Sequence, residues 1–313
     1  MDKKILILGS RGLVGTSVYK NLSSSENIEE VISSTREDTN LFDFNETKSL
    51  ISTTKPNVII NAAAKVGGIY ANNTKRTEFI LENLKINLNL LESCIPFPEI
   101  KIINLGSSCI YPLDAENPIK EDYFMSGKLE PTNSPYAMAK LTAIEMSDAM
   151  TKQYGHEIIN LMPTNLYGPN DNFSLTESHV IPGLIHRMHI SKEKKEDEFL
   201  IWGSGKPLRE FLYVDDLADC INFLINKKVE NSLINVGSGE EISILDLATL
   251  IKKIIEFEGD LKFDNSKPDG NPRKLIDSTL INSLGWKSKT KLKDGIELTY
   301  KWFLDNLAKK RVT

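Results

Sequence analysis

The stretch KILILGSRGLVG, residues 4–15, decides the fold, because a short apolar run passes directly into a glycine-rich turn. KILIL predicts a buried strand, and a helical pattern follows the turn to about Leu22. Gly9, Gly12 and Gly15 therefore lie between a strand and a helix, where glycines permit a tight turn and close approach to a pyrophosphate. The helix start presents free N–H groups to that anion. The stretch predicts a dinucleotide site, with a tight turn that binds no ligand as the alternative.

Short apolar runs alternate with helical patterns through the first half of the chain. Runs such as IINL are apolar without strict alternation, which is typical of strands covered on both faces. Repeated strand, helix, strand order favours an α/β fold, a doubly wound parallel sheet of Rossmann type. The strands that we predict are residues 4–8, 31–33, 57–64, 101–107, 156–164 and 233–239.

The pattern changes after Thr164, where residues 165–173 are rich in turn-forming types. A helix and one more strand at 214–239 then resemble the first half again. We therefore expect a Rossmann domain of residues 1–164 plus about 213–239. A smaller, discontinuous α/β substrate domain would comprise about 165–212 plus 240–313.

Composition excludes several classes of protein. The 313 residues carry a net charge of −5, so no broad basic surface indicates a nucleic-acid partner. No apolar run approaches the ~20 residues that span a membrane, and the start MDKKILILGS has no cleavage-site pattern, so we expect a cytoplasmic protein. Three scattered cysteines favour neither disulfides nor a metal site, and Cys94 and Cys220 are expected to be buried.

The end of the second predicted strand bears on the choice of dinucleotide. An NAD site usually has Asp or Glu there, about 20 residues after the glycine turn, to bind the ribose 2′-OH. Here residues 33–36 read SSTR, and Arg11 lies inside the turn. Two guanidinium groups can bind a 2′-phosphate, although both could instead be solvated surface arginines. We therefore predict NADP(H) as the cofactor, with Arg11 and Arg36 as its phosphate contacts.

The stretch SPYAMAK (134–140) predicts a helix with Ser134 as its cap. Tyr136 and Lys140 are then one turn apart on one face, and a lysine cation is expected to lower the pKa of the phenol. Ser107, at the end of the fourth predicted strand, could hydrogen bond the carbonyl oxygen that Tyr136 protonates. An ordinary amphipathic helix is the alternative.

The glycine turn, the serine and YxxxK, in this order, resemble the extended branch of the short-chain dehydrogenase/reductase superfamily. Longer stretches resemble the GDP-L-fucose synthase family, the GDP-4-keto-6-deoxy-mannose 3,5-epimerase-4-reductases, over nearly the whole chain. These stretches are NAAAKVGGIYANN (61–73), LGSSCIYP (105–112), LEPTNSPYAMAK (129–140), MPTNLYGPNDNF (162–173), SHVIPGLIHR (178–187), WGSGKPLREFLYVDD (202–216) and KPDGNPRK (267–274).

The resemblance implies an enzyme that inverts C3 and C5 of a sugar beside a C4 ketone and then reduces the ketone with NADPH. Cys109 and His179 match the two epimerase residues of the family, and Ser107, Tyr136 and Lys140 match its reductase residues. A thiolate can remove a proton α to a carbonyl, and a histidine can return one. In an extended segment, positions 107 and 109 would face the same side.

The resemblance also implies the contacts of both ligands. The cofactor contacts would be Gly9, Ser10, Arg11, Gly12, Leu13, Val14, Gly15, Arg36, Leu105, Gly106, Ser107, Ser108, Lys140, Pro163, Thr164, Asn165, Leu166 and His179. The GDP-sugar contacts would be Arg187, Trp202, Arg209, Asp269 and Lys274. Ser10 departs from the family pattern, in which a histidine is expected.

Two other functions stay open. The first is a C4 reductase, with or without epimerisation, of a related GDP-4-keto sugar such as a GDP-heptose. The second is a regulatory protein that binds NADPH without catalysis. The family implies a homodimer formed by the YxxxK helix and the helix before it, through Leu84, Leu88, Leu91, Met138, Ile144 and Met146, although these residues could equally be core.

Overall fold

The structure is a computed structural model that describes residues 3–230, 232–266 and 269–307. The first part of the chain alternates strands with helices. In chain order these are β1 (Lys3–Leu8), α1 (Leu13–Ser23), β2 (Ile28–Ser34), α2 (Phe44–Thr54), β3 (Val58–Asn61), α3 (Ile69–Thr74), α4 (Arg76–Cys94), β4 (Lys101–Leu105), α5 (Ser134–Tyr154) and β5 (Ile158–Pro163). Short 3₁₀ turns at Ser108–Ile110 and Glu121–Tyr123 lie between β4 and α5.

The second part of the chain has shorter strands. Its elements are β6 (Asn165–Tyr167), α6 (Val180–Glu193), β7 (Glu198–Trp202), β8 (Leu208–Tyr213), α7 (Val214–Ile225), β9 (Leu233–Val236), β10 (Glu241–Ser243), α8 (Ile244–Ile255), β11 (Asp260–Asp264), β12 (Arg273–Lys274), α9 (Thr279–Ser283) and α10 (Leu292–Leu307).

A six-stranded parallel sheet forms the centre of the molecule, in the order β2-β1-β3-β4-β5-β9. The predicted doubly wound parallel sheet is confirmed. The strand order reverses between β1 and β3, where ligands of such sheets bind outside the carboxyl ends of the strands. The predicted strands 57–64 and 101–107 end early, at Asn61 and Leu105, so the residues after them are loops at this edge.

Helices cover both faces of this sheet, which explains the continuous apolar runs. Along β1, Ile5 and Ile7 pack into one core with α1 and α7, while Leu6 and Leu8 pack into the opposite core with α2 and α4. Every second residue thus points to the same face, and both faces exclude water.

A smaller part of the chain forms separate sheets and a core of its own. β8 pairs with β10, β12 and β6, and β7 pairs with β11. The helices α6, α8 and α10 pack on these strands around apolar residues such as Phe199, Phe211 and Phe303. Among the described residues, no helix is both long enough and apolar enough to cross a membrane.

The apolar residues considered for a dimer interface divide between core and surface. Leu91 and Ile144 are 0% and 4% exposed, so of the two alternatives, interface or core, the core one holds for them. They fill the space between the helices and the sheet. Leu88 and Met138, in contrast, are 40% and 47% exposed on α4 and α5.

Candidate active site

The glycine turn joins β1 to α1 at the reversal point of the sheet. A Cβ on Gly15 would lie 2.2 Å from the carbonyl oxygen of Gly9, so only glycine permits α1 to start this close to the strand. Gly9 has φ +76°, and its Cβ would meet Ala63 at 2.8 Å. A Cβ on Gly12 would have only one neighbour, 3.5 Å away, so packing does not require glycine there. Gly12 leaves space open at the helix N-terminus, as a pyrophosphate requires.

Arg11 and Arg36 lie on the same edge, but each contacts a carboxylate. Arg11 Nη1 lies 2.5 Å from Glu37, and Arg36 Nη2 lies 3.4 Å from Glu82. Ser10 in the turn is buried and donates to the carbonyl of Ser34, which attaches the turn to the end of β2. The end of β2 has no acidic residue at the position where an NAD site usually has one. The nearest carboxylate that follows in the chain, Glu37, lies three residues beyond the strand.

The structure brings Ser107, Tyr136 and Lys140 together at the ends of β4 and α5. A hydrogen bond joins the hydroxyls of Ser107 and Tyr136. Lys140 is 2% exposed and its Nζ donates to the carbonyl of Leu105 over 2.7 Å, with the Tyr136 ring centre 5.8 Å away. α5 begins at Ser134 with Asn133 as its N-cap, so the predicted cap Ser134 is wrong by one residue.

Burial has the largest effect on the pKa values of Tyr136 and Lys140. The pKa of Tyr136 lies above its usual value because burial disfavours the phenolate; Cys109 acts in the same direction, and the Ser107 hydrogen bond acts against it. The expected lowering by Lys140 is therefore wrong here, since that ammonium is directed at a backbone carbonyl. Burial also lowers the pKa of Lys140 to about 8, because it disfavours the cation.

Cys109 lies in the 3₁₀ turn after β4, next to the Ser107 and Tyr136 pair. Ser107 Oγ accepts a hydrogen bond from the Cys109 N–H over 3.2 Å. The predicted extended geometry at 107–109 is wrong, because the capped turn, and not strand alternation, brings both side chains to the site. Two nitrogen donors contact the thiol: the amide Nδ2 of Asn133 and the ammonium Nζ of Lys274 are each 3.5 Å from Sγ.

His179 is the N-cap residue of α6, and the residue as a whole is partly accessible to solvent. Surrounding protein lowers the pKa of the imidazole by partly excluding water, while a hydrogen bond to the Gly67 backbone acts against this. The loop at Gly67 and Gly68 packs closely on the chain before α6, since a Cβ on Gly68 would lie 2.4 Å from the Ser178 carbonyl oxygen. The loop thus positions the ring.

The residues expected to contact the GDP-sugar lie on α6 and on the small sheets. The guanidinium of Arg187 stacks on Trp202, with Cζ 4.7 Å from the ring centre. Arg209 donates to the backbone carbonyl of Asp269 over 3.2 Å and pairs in register with Lys274. The carboxylate of Asp269 accepts two hydrogen bonds from Ser204, so it holds the loop after β7.

The other expected cofactor contacts follow the strand ends. Leu105 ends β4 and Gly106 follows it, and a Cβ on Gly106 would lie 1.9 Å from Met162 Cε. Thr164 and Asn165 both donate side-chain hydrogen bonds to the carbonyl of Glu210, which attaches the end of β5 and the start of β6 to β8. Leu13 and Val14 open α1, Ser108 is buried in the 3₁₀ turn, Pro163 ends β5 and Leu166 lies in β6.

Sequence analysis missed Glu210, a carboxylate with no exposed surface beside Arg209. Glu210 accepts hydrogen bonds from the N–H groups of Gly239 and Ile276, and burial raises its pKa. It thereby joins β8 to two segments far away in the chain. A single acidic residue after an arginine carries no signal of these contacts in the sequence.

Comparison with known proteins gives the class to which this fold and site belong. The chain belongs to the NAD dependent epimerase/dehydratase family, which matches residues 5–237. Within that family it groups with GDP-L-fucose synthases. It is 45% identical to GDP-L-fucose synthase 1 of Arabidopsis thaliana over 97% of this chain and 94% of that protein.

Two solved structures resemble the whole chain. A GDP-L-fucose synthetase from Naegleria fowleri bound to NADP has a TM-score of 0.88 at 30% identity, over 98% of this chain and 95% of that one. A GDP-6-OMe-4-keto-L-xylo-heptose reductase from C. jejuni has a TM-score of 0.90 at 32% identity, over 97% and 98%.

Proposed function

We propose that the protein catalyses NADPH-dependent 3,5-epimerisation and 4-keto reduction of GDP-4-keto-6-deoxy-mannose to give GDP-L-fucose. The observation that carries the proposal is the hydrogen-bonded pair of Ser107 and Tyr136 with Cys109 beside it, in a chain 45% identical to a GDP-L-fucose synthase. The same group of residues argues against a protein that binds NADPH only as a signal, because regulation needs no proton donor or thiol.

The glycine turn fits NADP(H). The open position at Gly12 and the free N–H groups of α1 suit the pyrophosphate, and Arg11 and Arg36 suit the 2′-phosphate. The backbone at Thr164 and Asn165 lines the same edge of the sheet. When bound, NADPH supplies the hydride for the sugar carbon C4. We assign residues 1–164 plus about 213–239 to this role.

Tyr136 gives a proton to the C4 oxygen during reduction. Its raised pKa keeps the phenol protonated at neutral pH, so the proton is available when negative charge develops on the oxygen. Ser107, hydrogen bonded to Tyr136, orients the same oxygen. Lys140 holds the carbonyl of Leu105 at the end of β4 and contributes positive charge behind the site.

Epimerisation precedes reduction and uses residues on both sides of the cleft. Cys109, as thiolate, removes the proton at C3 or C5, and the C4 oxygen carries the enolate charge towards Ser107 and Tyr136. His179 returns a proton from the opposite face of the sugar. A lowered pKa makes its imidazolium a stronger proton donor, and the Gly67 hydrogen bond orients the ring.

The GDP group lies against the smaller, discontinuous domain, about 165–212 plus 240–313. The stacked Arg187 and Trp202 offer a cation beside a flat apolar surface, which suits a diphosphate next to a nucleoside. Arg209 and Lys274 on neighbouring strands add two cations towards the sugar. Asp269 positions the loop after Trp202 through Ser204.

A related GDP-4-keto heptose is the second candidate substrate, because the C. jejuni heptose reductase has the fold of this chain at a TM-score of 0.90. NADPH oxidation followed at 340 nm separates the two candidates. We expect a kcat/KM at least tenfold higher for GDP-4-keto-6-deoxy-mannose than for a GDP-4-keto-heptose, about 1.4 kcal/mol in transition-state binding. The opposite ratio would assign the enzyme to heptoses.

We also propose a homodimer through α4 and α5. Leu81 and Leu88 are two turns apart on α4 and 49% and 40% exposed, and Met138 on α5 is 47% exposed. Exposed apolar residues on adjacent helices are typical of an interface between subunits.

A further inference from the structure

The thiol of Cys109 has contacts with two side chains that the resemblance does not explain. Asn133 Nδ2, from the start of α5, and Lys274 Nζ, from β12, are each 3.5 Å from Sγ. Both are donors, so both contacts favour a sulfur that carries negative charge. Lys274 was expected only to contact the GDP-sugar, and Asn133 had no expected role.

We propose that Asn133 and Lys274 are positioning residues that hold Cys109 as a thiolate directed at the sugar. This inference rests on the proposed epimerase role of Cys109. The ammonium of Lys274 supplies the countercharge, and the Asn133 amide fixes the direction of the sulfur. Cys109 keeps some exposure, so a substrate can reach it.

The backbone of Asn133 argues that its side chain serves the site and not the helix. Asparagine is a favoured N-cap residue, because its side-chain oxygen can accept a hydrogen bond from the first turn. Asn133 stands at the N-cap position of α5 but has φ −116° and ψ 7°, and its side chain makes no capping bond within the described chain.

The oxygen of the same amide is buried, and it has no hydrogen-bond partner among the residues that the structure describes. Leaving a buried acceptor unpaired destabilises a fold. An asparagine that capped the helix would pair this oxygen with a backbone N–H of the first turn. An asparagine whose amide must donate to Cys109 can leave the oxygen unpaired at a cost in stability. The carboxylate of Glu130 fixes the backbone N–H of Asn133 over 3.1 Å and so holds the residue in this geometry.

Lys274 approaches from a different part of the chain. It pairs in register with Arg209 on β8, and the charge of Arg209 also interacts with Cys109. Cations from two neighbouring strands therefore face a thiol that belongs to the loop after β4.

Alkylation of Cys109 by iodoacetamide tests this inference without any substrate. Cys94 and Cys220 are both 0% exposed, so the reaction in the folded enzyme reports on Cys109. We expect the rate at pH 7, measured by mass spectrometry, to fall about threefold to tenfold in Asn133→Ala and in Lys274→Met.

Lys274→Arg keeps the charge and should retain most of the rate. The exposed controls Asn282→Ala and Lys301→Met should react as the wild type does.

The variant Asn133→Asp distinguishes a role in positioning Cys109 from a role in capping α5. Aspartate is an equally good N-cap residue, but it cannot donate to sulfur and brings a negative charge. We expect alkylation to be slower in Asn133→Asp than in Asn133→Ala. If instead Asn133→Ala loses thermal stability and Asn133→Asp restores both stability and alkylation rate, Asn133 is a structural cap and the inference is wrong.

Deuterium exchange connects the same variants to catalysis. With GDP-4-keto-6-deoxy-mannose in D₂O and no NADPH, exchange at C3 and C5 should slow by about tenfold in Asn133→Ala, since a hydrogen bond to an ion is lost. Single-turnover reduction of the pre-epimerised ketone should slow less than exchange does. Equal slowing of both steps would contradict the inference. Absence of exchange in the wild type would overturn the proposed function. The alkylation rates would still test whether Asn133 and Lys274 act on the Cys109 sulfur.

Discussion

At the scale of single residues, burial and hydrogen bonding decide the chemistry more than sequence spacing does. Tyr136 and Lys140 are one helical turn apart, as YxxxK predicts, yet the lysine ammonium is bound to the carbonyl of Leu105. The groups that act on the pKa of Tyr136 come from other elements, and burial alone lowers the pKa of Lys140, so no local pattern could indicate either effect.

The depressed pKa of Lys140 predicts a pH dependence of stability. Its folded value of about 8 lies below the usual lysine value of 10.5, so between these values the unfolded state binds more protons and stability rises with pH. Between pH 8 and 10 this group alone should add roughly 2 kcal/mol to the free energy of unfolding. Lys140→Met should lack this rise in urea unfolding, relative to the wild type. Parallel pH profiles of the two proteins would contradict the prediction.

The pair of Arg11 and Glu37 predicts an effect on the cofactor. A 2′-phosphate must compete with Glu37 for the guanidinium, and an exposed ion pair is worth up to about 1 kcal/mol. Glu37→Gln should therefore lower the KM for NADPH about twofold to fivefold without lowering that for NADH. The exposed Glu26→Gln is the matched control. A lower KM for NADH in Glu37→Gln would show that the carboxylate does not act on the phosphate.

At the scale of elements, the sequence predicted the strands and the parallel sheet better than the turns between the strands. The apolar runs of β1, β3, β4 and β5 are buried on both faces, and such runs are visible in a sequence. The 3₁₀ turn at Ser108–Ile110 and the N-cap at Asn133 depend on backbone angles that neighbouring residue types do not specify. Asn and Ser are both good caps, so adjacent candidates leave the helix start ambiguous.

The glycine turn predicts different outcomes at two positions that look alike in the sequence. Gly15→Ala places a methyl group 2.2 Å from a carbonyl oxygen, so it should lower the free energy of unfolding by at least about 2 kcal/mol. Gly12→Ala has room, and it should change stability by less than about 1 kcal/mol. It should nevertheless weaken NADPH binding about tenfold or more, because the methyl group occupies the phosphate position.

Chemical unfolding and fluorescence titration with NADPH measure the two effects. Equal loss of stability in both variants would contradict the argument from space. Unchanged NADPH affinity in Gly12→Ala would remove the turn from the cofactor site.

At the scale of the whole molecule, the site is assembled from chain segments far apart in sequence. Lys274 reaches Cys109 from 165 residues away, and Glu210 joins β8 to residues 239 and 276. The resemblance in sequence indicated most of these residues, because motifs can be matched one by one. It could not indicate their contacts, which depend on how the small sheets pack against the large one.

The proposed dimer predicts a change in molecular mass. Leu88→Asp places a charge in the apolar surface of α4 and α5, and it should weaken association at least about tenfold. Leu298→Asp changes a leucine of α10 that is 50% exposed, against 40% for Leu88, and should leave the mass unchanged. Light scattering after size-exclusion chromatography measures both. A monomeric wild type, or a Leu88→Asp dimer as stable as the wild type, would contradict the interface.

The central claim is that one site epimerises two carbons and then reduces the ketone between them. Incubation with NADPH and GDP-4-keto-6-deoxy-mannose in D₂O, followed by NMR of the product, tests it directly. We predict GDP-L-fucose labelled at C3 and C5, and loss of label in Cys109→Ser and His179→Gln while reduction of a pre-epimerised ketone persists. A reduced product without deuterium at C3 and C5 from the wild type would contradict the account and leave a simple C4 reductase.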